Sequence, residues 1–272
     1  MDIHVGCAFV FDLAVATHGV VLVEPHPEPT RIGNVRDGQF TTEPPLGSAV
    51  YLDAFGNRCR RITLPAGTTE LVYDATVEVS PQADPVVVEA HVHAPDELPS
   101  DTLQFLLPSR FCESDLLAQV ATEQFGAIPP GWQQVQAVSD WVHAQVTFDY
   151  QSSSPTHTAT SVFHDRRGVC RDFTHLGIAL CRALNLPTRY VCGYIPDIDV
   201  PDLGAPMDFC AWMEVYLGGE WHAFDPRNNE RRIGRIVVAR GRDAADVAMV
   251  TTFGRAELVG MTVWADEVPA TR

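Results

Sequence analysis

Cys170 stands directly after Gly168-Val169 at the head of GVCRDFTHLGIALCRALNLP, residues 168–187. Apolar residues follow at Val169, Phe173, Leu176, Leu180 and Leu184, at spacings of four, three, four and four. That is the buried stripe of a helix, closed by Pro187. A thiol at the first turn sits at the positive end of the helix dipole, which favours thiolate and hence nucleophilic chemistry. The second informative stretch is FCAWMEVYLGGEWHAFDP, residues 209–226. Gly218-Gly219 predicts a two-residue hairpin turn. Pairing Leu217 with Glu220 sets Tyr216 opposite Trp221, Glu214 opposite Ala223 and Trp212 opposite Asp225. Alternation then puts Cys210, Trp212, Glu214 and Asp225 on one face, with Cys210 and Asp225 diagonal neighbours. His222 falls on the other face with Met213 and Val215.

The elements that must position these residues change character along the chain. Residues 1–107 read as all-β: alternating or β-branched runs at 5–15, 20–23, 49–54, 62–64, 71–79 and 86–93 are separated by turn signals such as Phe55-Gly56-Asn57. Strands at this spacing predict a small sandwich. From Pro108 the pattern turns helical. Ser114 can cap a helix carrying Leu116, Leu117, Val120 and Phe125. A second helix carries Val135, Val138, Val142 and Val146, and a polar loop at 151–158 leads to a short helix before Gly168. Strands return at 189–195, 209–217, 221–224, 236–239, 247–253 and 258–264. Helices followed by antiparallel strands predict an α+β fold, with an N-terminal domain at 1–107 and a core domain at 108–272.

The helix-opening cysteine and the hairpin together resemble the transglutaminase-like superfamily, specifically the bacterial transglutaminase-like, cysteine protease-like proteins with an N-terminal β-sandwich domain. The matching residues are Gly168-Val169-Cys170-Arg171-Asp172-Phe173, Ala211-Trp212, Glu214-Val215-Tyr216 and Phe224-Asp225-Pro226. Asp53-Ala54-Phe55-Gly56-Asn57 and Leu107-Pro108-Ser109-Arg110 extend the likeness over nearly the whole chain. The resemblance implies a papain/transglutaminase-like core of helices on an antiparallel sheet. It also implies acyl transfer through a thioester: amide hydrolysis or transamidation of a peptide or protein substrate. No cofactor is expected, and no metal either, since Cys170, Cys210 and Asp225 offer only three ligands and no histidine. Cys170 then takes the position of the nucleophile and Asp225 that of the orienting acid. The base position departs from the pattern, with Cys210 where the family has histidine. A thiol with an ordinary pKa of about 8.5 is a poor proton shuttle near pH 7.

No other histidine is well placed to replace it. His222 lies on the wrong face, and His175 is turned about 140° around the helix from Cys170. His164 precedes the helix. His157, in the polar loop, is the one candidate substitute. Tyr150 and Gln151 at the loop's mouth are candidate second oxyanion donors, and Tyr150, Gln151, His157 and Trp212 make up the expected substrate cleft. Cys181 lies three turns beyond Cys170 and cannot share an ion with it.

Composition narrows the partners. Net charge is −16 over 272 residues and pI is near 4.9, which disfavours nucleic acid and anionic membrane surfaces. All 19 basic residues are arginine, so the chain offers no lysine amine of its own for isopeptide cross-links. Seven cysteines without CxxC spacing predict reduced thiols, and the acidic start MDIHVGCAFVFDLAV predicts a first strand rather than a secretory leader, so a cytoplasmic location is expected. Three functions stay open: a slow thiol enzyme with a degenerate triad, a catalytically inactive binding or scaffold module, and a redox-responsive Cys170–Cys210 pair. Oligomeric state is not indicated.

Overall fold

Alternate residues of the first strand, Ile3, Val5, Cys7, Phe9, Phe11 and Leu13, are all buried, the period-2 signature of a strand with one face on a core. The computed structural model describes residues 1–27, 32–201 and 206–269. In chain order the strands are β1 (Asp2–Leu13), β2 (Thr17–Val21), β3 (Ile32–Glu43), β4 (Ser48–Leu52), β5 (Arg58–Leu64) and β6 (Gly67–Val79). Helices α1 (Ala118–Phe125) and α2 (Trp132–Gln145), the two-residue strand β7 (Thr147–Phe148), helix α3 (Ala159–Asp165) and the two-residue strand β8 (Arg167–Gly168) follow. Then come α4 (Cys170–Ala183), β9 (Thr188–Tyr194), β10 (Cys210–Leu217), β11 (Glu220–Phe224), β12 (Ile236–Gly241), β13 (Val250–Thr252) and β14 (Glu257–Glu267).

Two four-stranded sheets, ordered β14-β1-β6-β3 and β13-β2-β5-β4, form the N-terminal part. One apolar cluster takes Val5, Phe9 and Val77 from the first and Val21, Ile62 and Leu64 from the second. The third sheet, β11-β10-β9-β12, is antiparallel throughout and carries α4 against β9 and β10. The fold is therefore α+β: sheets first, then a helical and antiparallel core.

Four features differ from the sequence expectation; the first is that Ser114 does not cap α1, which begins after Leu117 with no side-chain cap. The polar run 32–43, not read as a strand, pairs with β6 as β3; its side chains are mostly exposed and its register breaks at Ile32/Val35 and Arg36/Gln39, so it shows no clean alternation. Residues 86–93, expected as a strand, join no sheet. They lie between Pro85 and Pro95, and their carbonyls serve other elements: Ala90 O accepts from Trp132 N–H at the start of α2, and His91 O accepts from Gly218 N–H in the hairpin turn. Finally, β13 and β14 pair with β2 and β1, so two strands from the end of the chain complete the N-terminal sheets.

Two polar anchors hold the parts in register. Asn57 pairs with the backbone of Arg240 in both directions, Nδ2 donating to its carbonyl at 2.7 Å and Oδ1 accepting its N–H at 2.7 Å. Buried Arg182, in the last turn of α4, donates to the carbonyls of Thr188, Leu107 and Arg242, fixing the helix to the 107–109 linker and to the sheet.

Candidate functional site around Cys170

Cys170 is the first residue of α4 because the preceding turn is locked by its own sequence. The buried Asp172 carboxylate reaches back to accept the Val169 N–H at 2.9 Å, half of a capping box. A Cβ at Gly168 would lie 2.5 Å from Asp172 Cβ, so this reach requires glycine there. The Arg171 guanidinium then binds Asp172 Oδ1 at 3.1 Å and the Ser154 carbonyl, tying the 150–158 loop to the helix start.

The hairpin pairs as its turn dictates: Met213 with Phe224, Glu214 with Ala223, Tyr216 with Trp221 and Leu217 with Glu220. Gly218 and Gly219 have φ of 59° and 90°, left-handed values expected for such a turn. Cys210 therefore opens β10, and its thiol and that of Cys170 face one cavity of about 500 Å³. The wall also takes Phe148, Tyr150, Met207, Asp208, Arg227 and Asn228. A cavity of this size beside a helix-opening thiol has the dimensions of a small-molecule or side-chain site.

The electrostatics differ from the sequence expectation at the thiol itself. Burial pushes the Cys170 thiol up to about 11, the nearby Asp208 carboxylate adds to the rise, and the N–H groups of Ala211 and Arg171 together with Arg227 only partly offset it. The favourable helix N-terminus is outweighed by burial. Cys210 is pushed up further, first by burial and then by Cys170 and Asp225. Both thiols are protonated near neutral pH, and their S–H groups point at backbone carbonyls: Cys170 Sγ lies 3.9 Å from Phe209 O, and Cys210 Sγ lies 3.8 Å from Asp208 O.

Asp225 sits just beyond β11, its side chain buried to 1% exposure. Its Oδ1 accepts the Asn228 N–H at 3.0 Å, and its Oδ2 accepts Asn228 Nδ2 at 2.8 Å and Arg235 Nη2 at 3.0 Å. Arg235 also binds Asp84 through Nε at 2.7 Å and lies over the Trp212 ring. The acid that would orient an imidazole thus shares one buried guanidinium with Asp84.

The remaining sequence candidates fall as follows. Tyr150 lines the cavity. Gln151 is exposed, with its N–H on Asp149, and is not part of the wall. Trp212 is 1% exposed, belongs to a small apolar cluster with Val191, Ile195 and Val237, and is not itself part of the cavity wall. His157 faces carboxylates rather than the thiol, with Nε2 3.4 Å from Asp165 and Nδ1 3.8 Å from Asp172. His222 is buried, its Nε2 3.1 Å from Leu217 O. His175 is stacked on Phe111, and its Nε2 accepts the Ala244 N–H; burial first, then Arg171 and Arg182, hold it neutral. Glu214 bridges Arg189 and Arg240 at 2.6 Å and 3.2 Å as a structural ion cluster. Among the described residues no group of three or more His, Cys, Asp or Glu is arranged to hold a metal. No helix among them is long and apolar enough to cross a membrane.

Sequence reasoning missed Asp208, Arg227, Asn228 and Arg235. Asn228 had a local signal, since Asp-Pro-Arg-Asn is a turn sequence in which an aspartate accepts from the backbone just beyond it. The other three act through contacts that no local spacing encodes.

Comparison with known proteins agrees with this fold. A family model described as the transglutaminase-like superfamily matches residues 118–226. A solved structure from Cytophaga hutchinsonii, described as a "Putative Cysteine Protease", is 31% identical, with a TM-score of 0.88 over 100% of this chain and 92% of that one. An uncharacterized protein of Mycobacterium tuberculosis strain H37Rv is 29% identical over 229 residues, 77% of this chain and 73% of the relative. An uncharacterized Mycobacterium leprae protein is 32% identical over 117 residues, a match that spans 42% of each chain.

Proposed function

We propose that this chain, which belongs to the transglutaminase-like superfamily, performs slow thiol acyl transfer on peptide or protein amides, with a degenerate triad of Cys170, Cys210 and Asp225. The observation that carries this reading is the placement of Cys170 at the first residue of α4, with its thiol on a cavity of about 500 Å³. In the reaction the Cys170 sulfur bonds to the amide carbonyl carbon and the C–N bond breaks. The thiol proton leaves on the amine, and a thioester remains for water or a second amine to take. Cys210 stands in the place of the base but remains protonated, so turnover is expected orders of magnitude below that of an intact triad.

Two observations favour a second reading, a retired enzyme kept as a binding module: burial holds Cys170 at about 11, and Asp225 is already engaged by Arg235 and Asn228. The two readings separate in an amide-turnover assay. Release of free amine from a peptide panel by the wild type, lost in Cys170→Ala, supports acyl transfer; equal release by both supports the binding module.

We further propose a two-domain organisation in which residues 1–107, completed by β13 and β14, form a sandwich beside a core beginning near residue 108. A cytoplasmic location is proposed from the seven cysteines, all free thiols. The charge of −16 argues against nucleic acid or anionic membrane as partner.

A further inference from the structure

We propose that the cavity at Cys170 is an acyl pocket for a neutral, apolar group, so that the preferred substrates are amides with an aliphatic or aromatic acyl side chain and without a carboxylate on it. The inference rests on Cys170 being the nucleophile proposed above and adds the substrate class.

The wall supplies the first argument. Phe148, Tyr150, Ile195, Val200, Met207 and Phe209 present apolar surface around the thiol, in a volume of about 500 Å³ that holds a large side chain with the reacting carbonyl. Charge supplies the second. Among the described residues, two arginines and three acids line the cavity. Arg232 is committed, its Nη2 donating to Asp197 at 2.8 Å and to the Pro196 carbonyl at 3.0 Å. Arg227 is stacked 4.5 Å from the Phe148 ring centroid and donates to the Asn228 side chain. Among the described lining residues it is the one guanidinium left against Asp208 and Glu230. An incoming carboxylate would therefore meet a wall with excess negative charge and a single, already engaged cation.

Halomethyl ketones test this, because their carbonyl takes the place of the scissile one and their other substituent takes the place of the acyl side chain. The Cys170 sulfur displaces chloride, and the thiol proton leaves to buffer. Rates at Cys170 are read by peptide mass spectrometry for chloroacetone, 1-chloro-4-phenylbutan-2-one and the ring para-carboxylate of the latter, each divided by its rate with glutathione. The phenyl reagent should exceed chloroacetone by tenfold or more, since a single well-placed methylene in an apolar pocket is worth about tenfold or greater discrimination. The carboxylate analogue should lose that advantage, as should Met207→Glu with the phenyl reagent. Equal normalised rates for chloroacetone and the phenyl reagent would overturn the pocket and leave the nucleophile reading intact. A carboxylate analogue as fast as the phenyl reagent would overturn the charge selectivity. No labelling of Cys170 by any of the three, while the unfolded protein reacts, would overturn both the pocket and the nucleophile on which it rests.

Discussion

Replacing Cys210 by histidine should return the missing base, and the structure sets the size of the gain. With the Cys170 thiol at about 11, roughly one molecule in 10⁴ carries thiolate at pH 7. An adjacent imidazolium brings cysteine thiols to about 7.5 or lower, which would raise the thiolate fraction to about a quarter. Intrinsic nucleophilicity falls as the pKa falls, with a Brønsted slope of about 0.45, which removes about 40-fold of the roughly 2,400-fold gain. The net acceleration is about 60-fold. Asp225 has room for the new ring: a carboxylate accepts about four hydrogen bonds, and three come from Asn228 and Arg235. The assay is the iodoacetamide rate at Cys170 at pH 7, followed by peptide mass spectrometry in wild type and Cys210→His. A folded variant, judged by an unchanged circular dichroism spectrum and melting transition, that reacts within threefold of wild type would refute the placement of residue 210 between Cys170 and Asp225.

Two further outcomes follow from the same electrostatics. Asp208→Asn removes a carboxylate that holds the Cys170 thiol up, so iodoacetamide labelling at pH 7 should quicken by about threefold for each unit the pKa falls; slower labelling would instead make Asp208 a proton acceptor for the thiol. Glu214→Gln removes the carboxylate that Arg189 and Arg240 share and should cost about 3–5 kcal/mol in urea unfolding at pH 7. Burial raises the Glu214 carboxyl but Arg189 and Arg240 outweigh it, so its folded value lies below 4.5. Its contribution is then complete above that value and lost as pH falls through the folded one. The gap between wild type and variant should accordingly narrow at acid pH, and a gap that is constant from pH 7 to pH 3 would contradict the assignment.

The parts legible in the sequence were those fixed by local rules. Gly218-Gly219 determined the hairpin register, and with it the positions of Cys210, Glu214 and Asp225 in β10 and just beyond β11. The Gly168 and Asp172 pair, with the apolar stripe behind them, determined where α4 begins. β3 was hidden because both of its faces are largely polar and its pairing is broken by bulges. Residues 86–93 misled for the opposite reason, being apolar while their carbonyls bond to α2 and the hairpin turn. The thiol's protonation could not be read locally either. The dipole argument considers one helix, whereas burial and Asp208, brought in from the segment before β10, decide the result. Arg235 was invisible as a partner of Asp225 because its role depends on a return from the 226–235 turn region and on Asp84 from far upstream.

The central claim is that Cys170 accepts an acyl group from an amide. Its most direct test is acid-quenched intact-mass spectrometry during incubation with a peptide amide that the wild type turns over, followed by peptide mapping. The account predicts a protein species heavier by the acyl group, located at Cys170, discharged by hydroxylamine and missing in Cys170→Ala. Turnover without any adduct at Cys170, or with an adduct on another residue, would contradict it.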